Sequence, residues 1–215
     1  NTPLTSIIGE ADLALSKKRQ AVEYEMALAK ILEEAEKLDK KTKALLFLAQ
    51  TGFDGKSQKF DKVRMDQLVL DVKETVEKIN PLAKISLDFS SLPENPEELK
   101  VKGNAQLLHL ALSNIVVNGC KYSSNQLVNI GIGVSGKDVL IIVKDKGIGI
   151  PKAEMDYIYD PYFRASNTAR YEGYGIGLPL TRNIIKIHEG TIIVSSDEGK
   201  GTIVEVRIPL GLYSL

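Results

Sequence analysis

The chain has 215 residues, 43% of them hydrophobic, with 28 basic side chains balancing 28 acidic ones. That length and apolar content suit one large domain or two small ones with ordinary cores. The zero net charge supplies no general basic field for nucleic acid or an anionic membrane, and no apolar run approaches the roughly 20 residues of a membrane span.

No signal peptide opens the sequence, and the single cysteine, Cys120, permits no intramolecular disulfide and is compatible with a reducing compartment. The opening Asn1-Thr2-Pro3-Leu4 reads like the middle of a longer protein. From Leu4 to about Lys18, Leu4, Ile7, Ile8, Ala11, Ala14 and Leu15 recur at helical spacing, and Pro3 is tolerated near a helix start. After a polar break at Lys18 to Gln20, a second helix is predicted from about Val22 to Gln50. Its residues Leu28, Ile31, Ala35, Leu38, Thr42, Leu45 and Ala49 keep a three-four alternation over three heptads. Such a hairpin buries too little apolar surface alone. The expectation is a homodimeric four-helix bundle; packing of a lone hairpin on the rest of the chain is the competing arrangement.

Thr51 to Ser57, rich in glycine and polar residues, reads as a linker, which gives a helical hairpin over 1–52, a linker over 53–58 and a second domain over 59–215. In that domain the pattern predicts a short strand over Lys59–Val63, then a helix capped by Asp66 and running to about Ile79. Strands follow at Ile85–Phe89 and Leu99–Lys102, then a helix over Asn104–Tyr122. A hairpin of Leu127–Val134 and Val139–Val143 turns at Ser135 to Asp138. A loop over Lys144–Tyr174, a helix over Ile176–His188 and strands over Thr191–Ser195 and Thr202–Ile208 complete the chain. Strands and helices without strict alternation predict an α+β sandwich, one mixed sheet covered by helices on one face.

The Asn104–Tyr122 helix organises the chemistry. Leu107, Leu108, Ala111, Leu112, Ile115 and Val116 form its apolar stripe. Asn114 and Asn118, four residues apart, share a face, with Lys121 a turn further on. Asn is a mediocre helix former, so two in a Leu- and Val-rich helix ask for a reason. Asp145-Lys146-Gly147-Ile148-Gly149-Ile150-Pro151 follows an apolar strand; its glycines permit positive φ and close approach of a ligand. It is neither a nucleotide P-loop nor a full dinucleotide fingerprint. A buried carboxylate there suits the exocyclic amine of adenine, a charge-assisted bond of roughly 1.5–3 kcal/mol, and rejects guanine; the plainer alternative is a turn Asp with two turn glycines. Gly173 to Leu178 (GYGIGL) ends in a helix starting near Leu178 or Pro179, whose free amides make a phosphate site or simply a cap. Between the two loops, Tyr157, Tyr159, Tyr162, Phe163, Arg164, Arg170 and Tyr171 form a mobile lid or pack together. Gly199-Lys200-Gly201-Thr202 is a hairpin turn, or a turn whose Thr hydroxyl reaches a ligand.

With NIVVNGCKY (114–122), DKGIGIP (145–151), IYDPYFR (158–164), GYGIGL (173–178) and GKGT (199–202) in this order, the chain resembles the sensor histidine kinases. These stretches are similar to that family's N box, first glycine box, F box, and second and third glycine boxes; Thr2 to Gly9 (TPLTSIIG) is similar to the tail of its H box. The resemblance spans Asn1 to Leu210. It implies a dimerisation and histidine phosphotransfer hairpin followed by a Bergerat-type ATP-binding domain. It implies that Asn118 ligates Mg2+, that Asn114 acts in catalysis beside Lys121 near the phosphates, that Tyr122 lies by the base and that Asp145 binds the adenine amine. Gly147, Gly149, Ile150 and Thr202 join the nucleotide site by the same resemblance. So do Tyr162, Phe163, Arg164 and Arg170 of the lid, and Gly173, Gly175, Ile176, Gly177 and Leu178, with Gly175 and Gly177 approaching the phosphates. Thr2 matches a position used to orient water when the partner is dephosphorylated. The partner implied is the receiver domain of a response regulator, and the location is cytoplasmic, with membrane attachment only through segments outside this chain.

The sequence also departs from that pattern. The phosphoacceptor His would lie three residues before Asn1, and neither His109 nor His188 replaces it by motif, so both are expected to be structural. Tyr159 and Tyr162 stand where Phe is usual, Gly119 where Ala is usual, and Pro179 follows the second glycine box. A gyrase- or heat-shock-type ATP hydrolase shares the nucleotide fold but places a Glu general base where this chain has Asn114, a carboxamide that cannot accept water's proton. A non-catalytic dimeric scaffold that retains the fold is the third reading.

Overall fold

The computed structural model describes residues 3–35, 38 and 59–211. The chain divides into two compact units, Asn1–Gln50 and Thr51–Leu215. In the first, helix α1 (Pro3–Leu15) is followed by α2 (21–35). Their connection is held by Arg19, whose Nε and Nη2 donate to the carbonyl of Leu13 at 3.2 and 2.8 Å. That carbonyl belongs to the last turn of α1, where no intrahelical amide remains to satisfy it. Lys30 of α2 pairs with Glu10 of α1, which sets the two helices side by side. Leu4, Ile8 and Leu28 of the predicted stripes are each more than half exposed, so within one chain part of the apolar seam is uncovered. Thr2, most of the predicted extension of the second helix beyond 35, and the linker lie outside the described residues.

The second unit contains β1 (Asp61–Arg64), α3 (Met65–Ile79), β2 (Ile85–Ser91), β3 (Lys100–Gly103), α4 (Ala105–Tyr122), β4 (Val128–Ser135), β5 (Asp138–Lys144), α5 (Gly177–Ile187), β6 (Thr191–Asp197) and β7 (Gly201–Pro209). Five strands form a mixed sheet in the order β2-β4-β5-β7-β6. Only the β2/β4 pair is parallel. Along β5 buried and half-buried residues alternate, because successive side chains point to opposite faces. Ile141 and Val143 of β5 and Ile130 of β4 meet Val69 and Val72 of α3 and Leu112 and Val116 of α4. Each such side chain contributes about 1.5–3 kcal/mol on full burial, and this one-sided layer is the core that fixes α4 against the sheet. Gly136, at φ +64°, makes the tight turn between β4 and β5 that its sequence predicts.

Several details differ from the sequence-based expectation. The predicted strands at Lys59–Val63 and Leu99–Lys102 each begin later, and pair with each other as a separate two-stranded antiparallel sheet, β1 with β3. Asp66 is not the cap of α3. The helix begins at Met65 with Arg64 in the capping position and no side-chain cap bond. Arg64 instead pairs with Asp66, which places the carboxylate in the first turn, where it suits the helix dipole. The last helix starts at Gly177, one residue after the Ile176 start and just before the Leu178 or Pro179 start read from the sequence, with Pro179 in its first turn.

Candidate nucleotide-binding site

The site begins with a strand register. In the β5/β7 ladder Lys144 faces Ile203, so the next residues outward, Asp145 and Thr202, stand opposite each other just beyond the last rung of that ladder. The Asp145 amide donates to the Thr202 carbonyl at 3.0 Å, and the Thr202 amide donates back to Asp145 Oδ1 at 3.3 Å. The Gly147 amide donates to the same oxygen at 2.7 Å. Asp145 is 8% exposed. Burial raises its carboxyl pKa from 3.8, and the two amide bonds offset only part of that effect. Both bonds fall on Oδ1, and among the described residues no protein donor reaches Oδ2.

The loop after Asp145 is tied down on every side. Ile148 donates to the carbonyl of Tyr122 at the end of α4, 3.1 Å away, and receives the Gly199 amide on its own carbonyl at 2.8 Å. The Ile150 amide donates to Ser196 Oγ at 3.0 Å. Asn167, in a short 3-10 turn of the lid, donates from Nδ2 to the Gly149 carbonyl at 3.1 Å. A Cβ on Gly147 would lie 2.7 Å from the Tyr122 carbonyl oxygen, too close for any side chain, and Gly149 adopts φ +64°. Glycine is required at both positions, the second because L side chains avoid that conformation.

Across from this loop, half-buried Asn114 and Asn118 face the start of α5. A Cβ on Gly177 would sit 3.8 Å from Asn118 Nδ2 and 4.0 Å from Asn114 Cγ. The glycine therefore leaves a methyl-sized space between two carboxamides and the first turn of α5. Ile176 occupies the capping position of that helix with no side-chain cap bond, which leaves the first amides of α5 for another acceptor. By contrast, Asn104 caps α4 through its side chain at 3.1 Å. Gly119 of α4 lies where a Cβ would meet Val128 at 3.3 Å and Asp145 Cβ at 3.5 Å; this departure from the family pattern brings the helix close to the carboxylate strand end.

Lys121 Nζ stands 4.1 Å from the ring centre of Tyr122 and donates to the Glu172 carbonyl at 2.9 Å, joining α4 to the lid. Tyr122 and Tyr171 meet edge to face at 5.1 Å, and Tyr157 packs on Phe163 at 5.7 Å. Arg164 donates to the carbonyl of Thr168 at 2.8 Å and to that of Tyr171, so this guanidinium braces the lid backbone. Arg170 and Tyr162 are exposed. Tyr162, at φ +69°, donates its amide to the Gly175 carbonyl at 2.9 Å. Ile176 is buried, and Gly173, Leu178 and Thr202 are half-buried. Thr2 lies outside the described residues. Sequence reasoning missed Ser196 and Asn167: one lies just past a predicted strand and the other within a predicted loop, and nothing in their spacing announces contact with a loop 46 and 18 residues away.

Both histidines are structural, as expected. His109 bonds Thr75 at 3.2 Å and Ser113 at 3.4 Å. His188 is buried, with Nδ1 2.7 Å from the Ile184 carbonyl and Nε2 accepting the Asn104 amide at 3.0 Å. A carbonyl only accepts, so Nδ1 carries the proton. The Phe60 ring stacks on His188 at 4.8 Å.

A one-sided mixed sheet with a buried carboxylate at a strand end, an Asn-bearing helix and an uncapped glycine-started helix defines an ATPase-type nucleotide domain. The chain belongs to the family of histidine kinase-, DNA gyrase B- and HSP90-like ATPases, whose profile matches residues 103–212. Its resemblance to sensor histidine kinases of two-component systems extends over most of its length. It is 28% identical to the sensor histidine kinase CusS of Escherichia coli over 97% of this chain and 43% of that protein. With YclK of Bacillus subtilis the identity is 29%, covering 97% and 44%. The chain thus spans about two fifths of the length of these relatives. Among solved structures, the Acinetobacter baumannii histidine kinase AdeS matches with TM-score 0.70 at 19% identity, covering 98% of this chain and 96% of that one. Full-length ShkA in complex with AMPPNP matches with TM-score 0.71 at 20% identity, covering 100% and 44%. Those two likenesses show the fold.

Proposed function

We propose that this chain binds Mg2+-ATP and that the γ-phosphoryl group is transferred to the H-box histidine, which by the family pattern stands just upstream of Asn1, from which it passes to an Asp of a response regulator. The observation that carries this reading is Asp145: a buried carboxylate with one oxygen held by two amides and the other, among the described residues, met by no protein donor. An adenine amine supplies the missing N–H. A guanine carbonyl would leave the charge unpaired, and a site with a buried unpaired charge rejects its ligand strongly.

The remaining residues divide the triphosphate among them. The first amides of α5 and the glycines at 173, 175 and 177 accommodate phosphate oxygens, Asn114 and Lys121 neutralise and orient them, and Tyr122, Gly147, Gly149, Ile150 and Thr202 enclose the base. The lid residues Tyr162, Phe163, Arg164 and Arg170, with Ile176 and Leu178, close over it. Among the described residues no group of three His, Cys, Asp or Glu side chains is placed to hold a metal. Asn118, a neutral oxygen donor, fits Mg2+, which binds through substrate phosphates, water and one or two protein oxygens. Bound there, the cation supplies charge neutralisation, and catalysis is mostly positioning.

By the resemblance of Thr2 to Gly9 to the tail of the H box, the acceptor is a histidine upstream of that stretch, and His109 and His188 make hydrogen bonds within the fold. Residues 1–52 form the dimerising phosphotransfer hairpin, 53–58 the linker and 59–215 the catalytic domain; Thr2 orients water when the regulator is dephosphorylated. The location is cytoplasmic, and the partner is a receiver domain. The test is acid-labile phosphate incorporation from γ-labelled Mg2+-ATP into a version extended upstream through the complete H box, with this chain as the control. Label on the extended protein alone supports the reading; absence of label from both, with ATP demonstrably bound, counts against kinase activity.

A further inference from the structure

Ser196 on β6 faces Thr202 in the β6/β7 ladder, yet its hydroxyl serves the loop that follows β5. Ser196 Oγ accepts the Ile150 amide at 3.0 Å, lies 2.9 Å from the Gly201 carbonyl oxygen and lies 2.9 Å from Thr202 Oγ1. A hydroxyl has one proton and two lone pairs, so these three contacts can be filled in only one way. The Gly201 carbonyl can only accept, so it takes the Ser196 proton. The Ile150 amide can only donate, so it takes one lone pair. The contact with Thr202 is then a bond donated by Thr202, whose own oxygen is left with lone pairs alone.

We propose that Ser196 is a positioning residue that fixes both the placement of the loop from Asp145 to Ile150 and the hydrogen-bond polarity of Thr202. Thr202 is joined to Asp145 by two bonds. With the Thr202 proton committed to Ser196, the edge formed by Asp145 and Thr202 offers acceptors only. Such an edge suits a 6-amino purine and opposes a 6-oxo purine. The inference rests on the nucleotide-binding reading of this site and adds to it the device that holds its base preference.

The test is calorimetric titration of this chain with ATP and with inosine triphosphate, which replaces the 6-amine by a carbonyl. Wild type, Ser196→Ala and Ser196→Thr are compared, together with their melting temperatures. In Ser196→Ala the Thr202 hydroxyl is released and can turn to donate to a carbonyl. The ATP affinity is expected to fall about five- to tenfold, with inosine triphosphate losing little or gaining, so that the ratio of the two affinities contracts by a similar factor. Ser196→Thr keeps the hydroxyl and restores the ratio. Ser196→Cys, a weak donor and acceptor of similar size, gives the same contraction should alanine impair folding. An equal loss for both nucleotides overturns the control of Thr202 polarity, and unchanged affinities for both overturn the role of Ser196 altogether, each while leaving the site intact. Failure of wild type to bind ATP at all overturns the site and this inference together.

Discussion

Asp145 and Thr202, 57 positions apart, hold each other through two bonds beyond the last rung of the β5/β7 ladder, one between backbones and one from the Thr202 amide to the carboxylate. The carboxylate is thus aimed by the sheet itself. Its raised pKa has a defined sign for stability. The folded state binds the Asp145 proton more tightly than the unfolded chain, so its contribution is present below the ordinary value of 3.8 and is lost as pH rises through the folded value. At neutral pH the buried charge therefore costs stability.

Asp145→Asn separates this cost from function. The Asn Oδ1 accepts the same two amides, and no charge is buried. The melting temperature at neutral pH is expected to equal or exceed that of wild type. ATP affinity is expected to fall roughly 10- to 100-fold, because an NH2 group would then face the adenine amine. Scanning and titration calorimetry on the two proteins measure both; undiminished affinity would remove Asp145 from the base site.

The glycines of the second glycine box differ in what they tolerate. At Gly177 a Cβ makes ordinary contacts with Asn118 and Asn114 and φ is not positive, so Gly177→Ala is expected to preserve folding while filling the space opposite the two carboxamides. Nucleotide binding should weaken with melting unchanged. Gly175, at φ +67° and with the Phe163 carbonyl in the path of any Cβ, is different: Gly175→Ala strains the backbone by roughly 1–3 kcal/mol. Increased proteolysis within 152–176 reads that strain directly.

His188 links the start of α4 to the end of α5, and burial lowers its pKa below 6.5. Its neutral form is the one that accepts the Asn104 amide. Stability from this group is complete above the unfolded value and declines as pH falls from there towards the lower folded value, because the unfolded chain then binds more protons. His188→Phe keeps a ring against Phe60 but strands the Asn104 amide, an expected loss of roughly 1–3 kcal/mol at neutral pH. Urea unfolding of the variant should show a shallower loss between neutral pH and about pH 5.5 than wild type.

In the first unit, Leu28 is 64% exposed and Ile8 52%. If these residues form the dimer seam, Leu28→Glu shifts the protein to monomer in sedimentation equilibrium, with no change in ATP affinity of the second unit. A wild-type protein that is monomeric at all concentrations would refute the seam.

Much of the second unit was legible in the sequence because its signals are local. The apolar stripe of α4 is buried as its spacing demands: Leu107, Leu108, Ala111, Leu112, Ile115 and Val116. The turn at Gly136 follows from residue chemistry that acts over two to four positions, whereas Asn104, the helix's first residue by the sequence pattern, is instead the cap of α4. Asp66 was misread because the preference of Asp for a cap competes with its pairing to Arg64, two residues away, and the pair prevailed. The separate β1/β3 sheet was not legible, since pairing partners about 40 residues apart leave no mark on either strand.

The sequence by itself determined the order of elements, the face of α4 that carries Asn114 and Asn118, and the glycines that backbone geometry requires, because periodicity and φ preference belong to single segments. The tertiary structure decided which oxygen of Asp145 is spent and which is left, that Ser196 governs Thr202, and that Gly177 faces both asparagines. Those relations depend on strand register and helix placement, where a shift of one residue moves every side chain to the opposite face, and only the packed sheet and core fix them.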